Sequence, residues 1–398
     1  MSTLNDAASA NRIHIGVFGK TNSGKSAFIN AWTSQQVSIV SDVPGTTTDP
    51  VNKPIEIHPL GPCVIMDTAG FDDETKLGRQ RVEKTRLAAD KADIAIMVVT
   101  ADASEIECEK EWEHYFKEKK TPVLYIINKS DMVSDVDMIK ELIGEDENII
   151  TLSALKKEGM GQVNPMIARL LPEDFSSGTI TGELAGAKDT VVLVMPQDIQ
   201  APKGRLILPQ VQVLRELLDK KCHVMCLTTD EFVEGIARLK EPPKLIITDS
   251  QVFGYVSENK PRESMLTSFS VLLAAYKGDI AYFSQGAKTI EALREDSKVL
   301  IAECCTHAPL TEDIGREKIP NLLRKRIGKG LTIDMVSGTD FPEDLSGYDL
   351  IIQCGACMFN RKYVLSRVDK AKQSKVAMTN YGICIAYLTG ILDQVVTP

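Results

Sequence analysis

The octet Gly19-Lys20-Thr21-Asn22-Ser23-Gly24-Lys25-Ser26 fits G-x-x-x-x-G-K-S, follows an apolar run at 13–18 and opens a helical pattern. That is the context a phosphate-binding loop requires. Backbone N–H groups from Gly19 to Ala27, those of Asn22, Ser23 and Gly24 included, can converge there on phosphate oxygens. Lys25 can reach the β and γ oxygens, and the Ser26 hydroxyl can bind Mg²⁺. Asp67-Thr68-Ala69-Gly70 ends the run at 64–66, setting a carboxylate near that Mg²⁺, through water, and the Gly70 N–H near the γ-phosphate. Asn128-Lys129-Ser130-Asp131 ends the run at 123–128, and Asp131 can accept hydrogen bonds from the N1–H and N2 amino group of guanine. Adenine offers neither donor, and a buried carboxylate left unpaired costs on the order of several kcal/mol, so this position selects guanine. The chemistry these residues can do is Mg²⁺-dependent hydrolysis of GTP.

A second set of residues is built for sulfur ligation. Cys304-Cys305-Thr306-His307 ends a strand pattern at 298–303, and Cys354-Gly355-Ala356-Cys357 ends another at 350–353. In a parallel α/β sheet the carboxyl ends of strands share one edge, where ligands bind. Cys354 and Cys357, spaced C-x-x-C, can aim two thiolates at one centre, with Cys305 as a third. Three thiolates with one open or non-cysteine position suit a 4Fe-4S cluster with an exchangeable iron. Zinc with His307 as fourth ligand and a redox dithiol are the competing readings. Cys63, Cys222, Cys226 and Cys384 lie in apolar or helical runs and read as small core residues, while Cys108 sits on a charged helix. Nine cysteines is an odd number, which fits a reducing compartment better than a disulfide framework.

The elements that must position these residues form an α/β fold of three domains. Strands are expected at 13–18, 55–57, 64–67, 94–99, 123–128 and 149–152, with helices at 26–33, 78–91, 105–119 and 135–142, the pattern of a doubly wound P-loop sheet. The stretch 172–186, rich in Ser, Thr and Gly, reads as a linker. Two smaller α/β units with mostly parallel sheets follow. One has strands at 190–195, 223–228 and 244–248. The other comes after a helix near 263–276 and has strands at 298–303, 331–335, 350–353 and 375–378. The domains are therefore placed at 1–174, 175–257 and 258–398. A 398-residue chain with 43% hydrophobic and 25% charged residues is expected to build several soluble cores. The net charge of −9 argues against a general nucleic-acid or anionic-membrane partner. No secretory signal or apolar run of membrane-spanning length is apparent, and a cytoplasmic protein is expected.

The segment Asp42-Val43-Pro44-Gly45-Thr46-Thr47-Thr48-Asp49 resembles switch I of the TrmE and Era group of GTPases, and Ser153-Ala154-Leu155 resembles their loop that contacts guanine O6 through a backbone N–H. The resemblance implies that Thr46 and Thr47 close on the nucleotide, Thr47 binding Mg²⁺ and sensing the γ-phosphate. It also implies that Asn22 holds a potassium ion. Phe71 stands where Ras-like proteins carry the glutamine that orients water. Over its full length the chain resembles the FeFe-hydrogenase maturation GTPase family, HydF, whose Cys-x-His and His-Cys-x-x-Cys map onto Cys305, His307, Cys354 and Cys357. That family implies a dimerising middle domain, a 4Fe-4S cluster on the three cysteines, and a transient 2Fe subcluster. It implies radical-SAM maturases and apo FeFe-hydrogenase as partners. Gln353 stands where the family often has His, leaving His307, Glu303, another residue or water as the fourth ligand. An RNA-associated GTPase and a cluster-gated redox sensor are the alternative functions.

Overall fold

The computed structural model describes residues 12–33, 51–57, 60–71, 76–144, 148–171, 178–197, 206–304 and 314–398, side chains at 51 and 76–81 excepted. The chain falls into two compact units, one holding residues 11–176 and the other residues 177–398.

In the first unit β1 (Ile13–Phe18), α1 (Lys25–Thr33), β2 (Val51–Ile57), β3 (Gly61–Asp67), α2 (Lys76–Lys91) and β4 (Ile94–Thr100) are followed by α3 (Glu107–Glu118), β5 (Val123–Asn128), α4 (Asp137–Ile143), β6 (Ile149–Thr151) and α5 (Val163–Leu170). The sheet order is β2-β3-β1-β4-β5-β6. β1 is buried along its whole length and pairs in parallel with β3 and β4, Val17 lying opposite both Asp67 and Ile96. A strand covered on both faces must be apolar nearly throughout, which is why this sheet reads as runs rather than alternation. β2 runs antiparallel to β3 at the sheet's edge, where Pro54 is tolerated.

The second unit begins with β7 (Thr190–Val194), α6 (Leu208–Asp219), β8 (His223–Leu227), α7 (Phe232–Ala237), β9 (Leu245–Thr248), α8 (Phe253–Asn259), β10 (Met265–Ser268) and α9 (Phe269–Lys277). These build a parallel sheet in the order β10-β9-β7-β8. Then come α10 (Ile280–Lys288), β11 (Lys298–Ala302), α11 (Ile319–Ile327), β12 (Thr332–Val336), β13 (Leu350–Gln353), α12 (Arg361–Gln373), β14 (Ala377–Asn380) and α13 (Tyr381–Leu388), forming the parallel sheet β12-β11-β13-β14. Ile383 and Ala386 of α13 pack with Val192 and Ile246 of the middle sheet, while its Cys384 and Ile385 pack with Val299 and Ile352 of the next, so one helix joins the two sheets.

Three expectations are corrected. The helix expected near 263–276 is a strand followed by a helix. Met265–Ser268 pairs with β9, and the Ser268 hydroxyl then caps α9 by accepting from the Val271 N–H at 3.2 Å. The middle sheet therefore runs past position 257. The described part of the expected linker is docked: Ile180 and Ala185 are buried, and the Glu216 carboxylate accepts from the Thr181 N–H at 2.9 Å and its hydroxyl at 2.6 Å. Cys226 is exposed, because β8 is an edge strand in which no residue is fully buried.

Candidate functional site

β1 delivers the chain to a loop whose backbone only certain residues can follow. Gly19 and Gly24 have φ of 147° and 88°, and a Cβ on Gly24 would lie 2.4 Å from Asn128 Nδ2. Asn22, exposed, takes φ 63°, a left-handed conformation that Asn tolerates better than most residues. Lys25 opens α1, is buried, and donates from Nζ to Gly19 O at 2.9 Å and Lys20 O at 2.8 Å. The Ser26 hydroxyl donates to Asp67 Oδ2 at 3.0 Å. A hydroxyl and a carboxylate in contact at the ends of α1 and β3 are hard oxygen donors of the kind Mg²⁺ takes. Thr68 ties the next segment back to β1 through Val17 O at 2.7 Å, Ala69 is buried, and Gly70 lies half-buried beyond it.

The base-recognition residues are joined to this loop by one side chain. Asn128, buried at the end of β5, donates from Nδ2 to Ser23 O at 3.1 Å and accepts at Oδ1 from the Ala154 N–H at 3.1 Å. It thus ties the phosphate loop to 153–155. Lys129 has φ 60°, and the Asp131 carboxylate accepts from the Ser153 hydroxyl at 2.5 Å, which holds its pKa below the ordinary value. Leu155 is exposed, and Ala27 packs partly buried on the first core. Phe71 is buried against Trp112, ring centroids 5.6 Å apart. Thr46 and Thr47 lie outside the described residues.

At the third sheet the register sets Ala302 opposite Gln353, so the chain leaves β11 and β13 side by side. The Cys304 N–H then points at Cys354 Sγ, 3.1 Å away. The Cys304 thiol, with backbone N–H groups of Ala356 and Cys304, holds the Cys354 thiol below its ordinary pKa against the opposing effect of burial. Cys304 itself is buried and pushed well up by desolvation. Cys357 is half-buried on the same turn, which passes through Ala356 at φ 51°. The donor set is soft, which suits iron or zinc. Cys305 and His307 lie outside the described residues, and among the described residues no group of three or more His, Cys, Asp or Glu could hold a metal. Glu303 is engaged elsewhere: Arg316 donates to its Oε2 at 3.1 Å and Tyr381 to its Oε1 at 3.5 Å.

Two cations beside this turn escape a reading of motifs. Lys277, the last residue of α9, is 1% exposed and donates from Nζ to Ala356 O at 3.1 Å, Cys357 O at 3.4 Å and Phe359 O at 2.7 Å. Burial pushes its pKa down to about 8, against the upward pull of Cys357, Cys304 and Cys354. Arg367 of α12, also buried, reaches Cys304 Sγ at 3.8 Å while its guanidinium lies 4.8 Å from the ring centroids of both Phe341 and Phe359. The one sequence signal for Lys277 is a cation ending an otherwise apolar helical pattern, whereas Arg367 is one of several cations on a charged helix and has none.

Comparison with known proteins divides the chain along the same lines. Residues 180–278 match the hydrogen maturase F dimerization domain, residues 281–398 the hydrogen maturase F tetramerization domain, and residues 14–129 the 50S ribosome-binding GTPase domain. Among curated relatives, the tRNA modification GTPase MnmE of Pseudothermotoga lettingae is 33% identical over 241 residues, covering 54% of this chain and 52% of the relative. MnmE of Thermotoga petrophila is 34% identical over 167 residues, covering 41% and 36%. The chain thus spans about half or less of the length of these relatives. Among solved structures, an Era variant of Aquifex aeolicus bound to GDP and AlF4 overlaps 63% of this chain and 99% of its own, with 19% identity and a TM-score of 0.37. The GTPase domain and its relatives support GTP hydrolysis, and the dimerization and tetramerization domains support oligomerisation. No described helix is long and apolar enough to cross a membrane.

Proposed function

Since the chain belongs to the hydrogen maturase F family, we propose that it is a GTP-hydrolysing scaffold and carrier that holds a 4Fe-4S cluster, accepts a 2Fe subcluster precursor as cargo and passes it to apo FeFe-hydrogenase. The observation that carries this reading is the Cys354 sulfur, 3.1 Å from the Cys304 N–H at the carboxyl edge of a parallel sheet. That edge carries the C-x-x-C turn and Cys304, the residue before Cys305, which supports the reading. Cys305, Cys354 and Cys357 are the thiolate ligands. His307 is the preferred fourth ligand, because Arg316 and Tyr381 already occupy the Glu303 carboxylate. A corner held by a neutral imidazole or water is replaceable, as cargo exchange requires.

In the nucleotide unit Lys25 carries positive charge to the β and γ oxygens, and the Gly70 N–H reads the γ-phosphate. Ser26 and Thr47 would hold Mg²⁺, with Asp67 reaching it through water, and the ion would stabilise negative charge on the phosphates. Asp131, oriented by Ser153, reads guanine. Phe71, packed on Trp112, supplies no polar group to orient water. Asn22 would hold a potassium ion, which would supply positive charge to the phosphates in place of an arginine finger.

The domain roles follow: hydrolysis in 1–174, self-association from 175 as at least a homodimer, and cluster binding after α9. Radical-SAM maturases supply the cargo in the cytoplasm, without nucleic acid or membrane. Anaerobic reconstitution with iron and sulfide is expected to give the EPR signal of a reduced 4Fe-4S cluster, lost in Cys354→Ser, and transfer to apo-hydrogenase that restores hydrogen evolution. A wild-type chain that takes up no cluster but binds RNA would overturn the scaffold in favour of an RNA-associated GTPase.

A further inference from the structure

An ammonium group taken fully out of water costs several kcal/mol unless an anion compensates it. Lys277 is in that position, and its polar neighbours are the carbonyls of Ala356, Cys357 and Phe359. Carbonyl dipoles satisfy its hydrogen bonds but leave the net charge unbalanced. The ionisable groups that act on it are Cys357, Cys304 and Cys354, with no carboxylate among them in the described residues. A buried lysine whose ionisable neighbours are all cysteines is balanced once some of those sulfurs are thiolates bound to metal. It also comes from outside the ligand loops: α9 follows the middle sheet, and its terminal residue reaches 80 positions along the chain to the turn after β13.

We propose that Lys277 is a positioning residue and fixed counter-charge for the metal centre of the Cys354–Cys357 turn, clamping the turn through its carbonyls and favouring the reduced, more negative state of the cluster. This rests on the cluster reading above. Net charge around an iron–sulfur cluster is one of the quantities that set its reduction potential, and removing a buried cation disfavours the added electron.

The two roles separate by substitution. Lys277→Gln keeps amide donors for the turn carbonyls and removes the charge, Lys277→Met removes both, and Lys277→Arg keeps the charge. Each full-length chain is reconstituted anaerobically, assayed for iron and acid-labile sulfide, checked by thermal unfolding, and titrated potentiometrically by EPR. The expected result is a midpoint potential shifted to more negative values in Lys277→Gln with iron content near wild type. Lys277→Met should show the same shift with loss of iron, and Lys277→Arg the wild-type potential. A wild-type chain that carries a cluster while Lys277→Gln has an unchanged potential overturns the counter-charge alone. A wild-type chain that takes up no iron overturns the cluster reading together with it.

Discussion

Lys25 and Lys277 are both buried, and both bind backbone carbonyls of a turn that leaves the carboxyl end of a parallel strand. They differ in where they come from. Lys25 reaches Gly19 O and Lys20 O, six and five positions back, so loop, cation and helix start are fixed by one octet. Lys277 reaches a turn some 80 residues away, brought close only because two sheets pack on the same helix, α13. The first arrangement can be read from spacing. The second exists only after the chain has folded, and nothing local announces it.

The comparison is broken most directly at Lys25. If its ammonium serves phosphate and not merely the loop carbonyls, Lys25→Met lowers kcat/KM for GTP by on the order of 100-fold or more, the scale of losing a charged donor aimed at a reacting oxygen. Phosphate release measured beside thermal unfolding checks this, and a loss of less than tenfold in a well-folded variant would make Lys25 chiefly a loop clamp. Asp131→Asn tests the base end of the same site. An amide presents a donor where xanthine has a carbonyl and guanine an amino group, so GTP affinity is expected to fall by on the order of 100-fold while xanthosine triphosphate gains. Equal affinities for both nucleotides would show that Asp131 only orients Ser153.

What was legible follows the same division. Buried parallel strands gave away β1, β4 and β5 by their apolar runs, and the four nucleotide motifs lie on the elements expected of them. The strand–helix pair at 265–277 was misread as one helix because a four-residue strand before a helix leaves little periodicity, its identity fixed by pairing with β9. The docked stretch 180–185 looked like a linker because its polar anchors, backbone N–H groups and the Thr181 hydroxyl, depend on Glu216 from a helix 35 residues away, which composition does not reveal. At the cysteine turn the C-x-x-C spacing was readable, whereas the Cys304 N–H on Cys354 depends on the register of β11 and β13.

Gly24→Ala sharpens the contrast between the two turns by adding a methyl to the tighter one. Its Cβ would lie 2.4 Å from Asn128 Nδ2 at a φ of 88°, so the tie between phosphate loop and base loop must open. A loss of about 1–3 kcal/mol in the unfolding of the first unit is expected, measured by denaturant titration. A variant as stable as wild type would mean that Asn128 yields without cost. Asn22→Gly is milder, since glycine keeps the left-handed backbone at φ 63° and removes only the amide. Stability should hold while the potassium advantage over sodium, on the order of tenfold or more if the ion replaces an arginine finger, disappears. A retained advantage would show that Asn22 is there for its backbone.

The smallest effect is expected where the second turn carries the opposite compromise. Ala356 holds φ 51° without being glycine, and its methyl is buried with Cys304 and Val364 in a small apolar cluster. Placing alanine in the left-handed region costs about 1 kcal/mol, and the buried methyl returns about 0.8 kcal/mol. Glycine would relieve the strain, lose the contact and add freedom to the unfolded chain, so Ala356→Gly should change unfolding free energy by less than about 1 kcal/mol. The phosphate loop uses glycine because another side chain occupies the space, whereas the cysteine turn uses alanine because its methyl fills space beside Cys304 and Val364. A destabilisation well above about 2 kcal/mol, read by denaturant titration without metal, would show that the turn depends on that methyl more than on the carbonyls Lys277 holds.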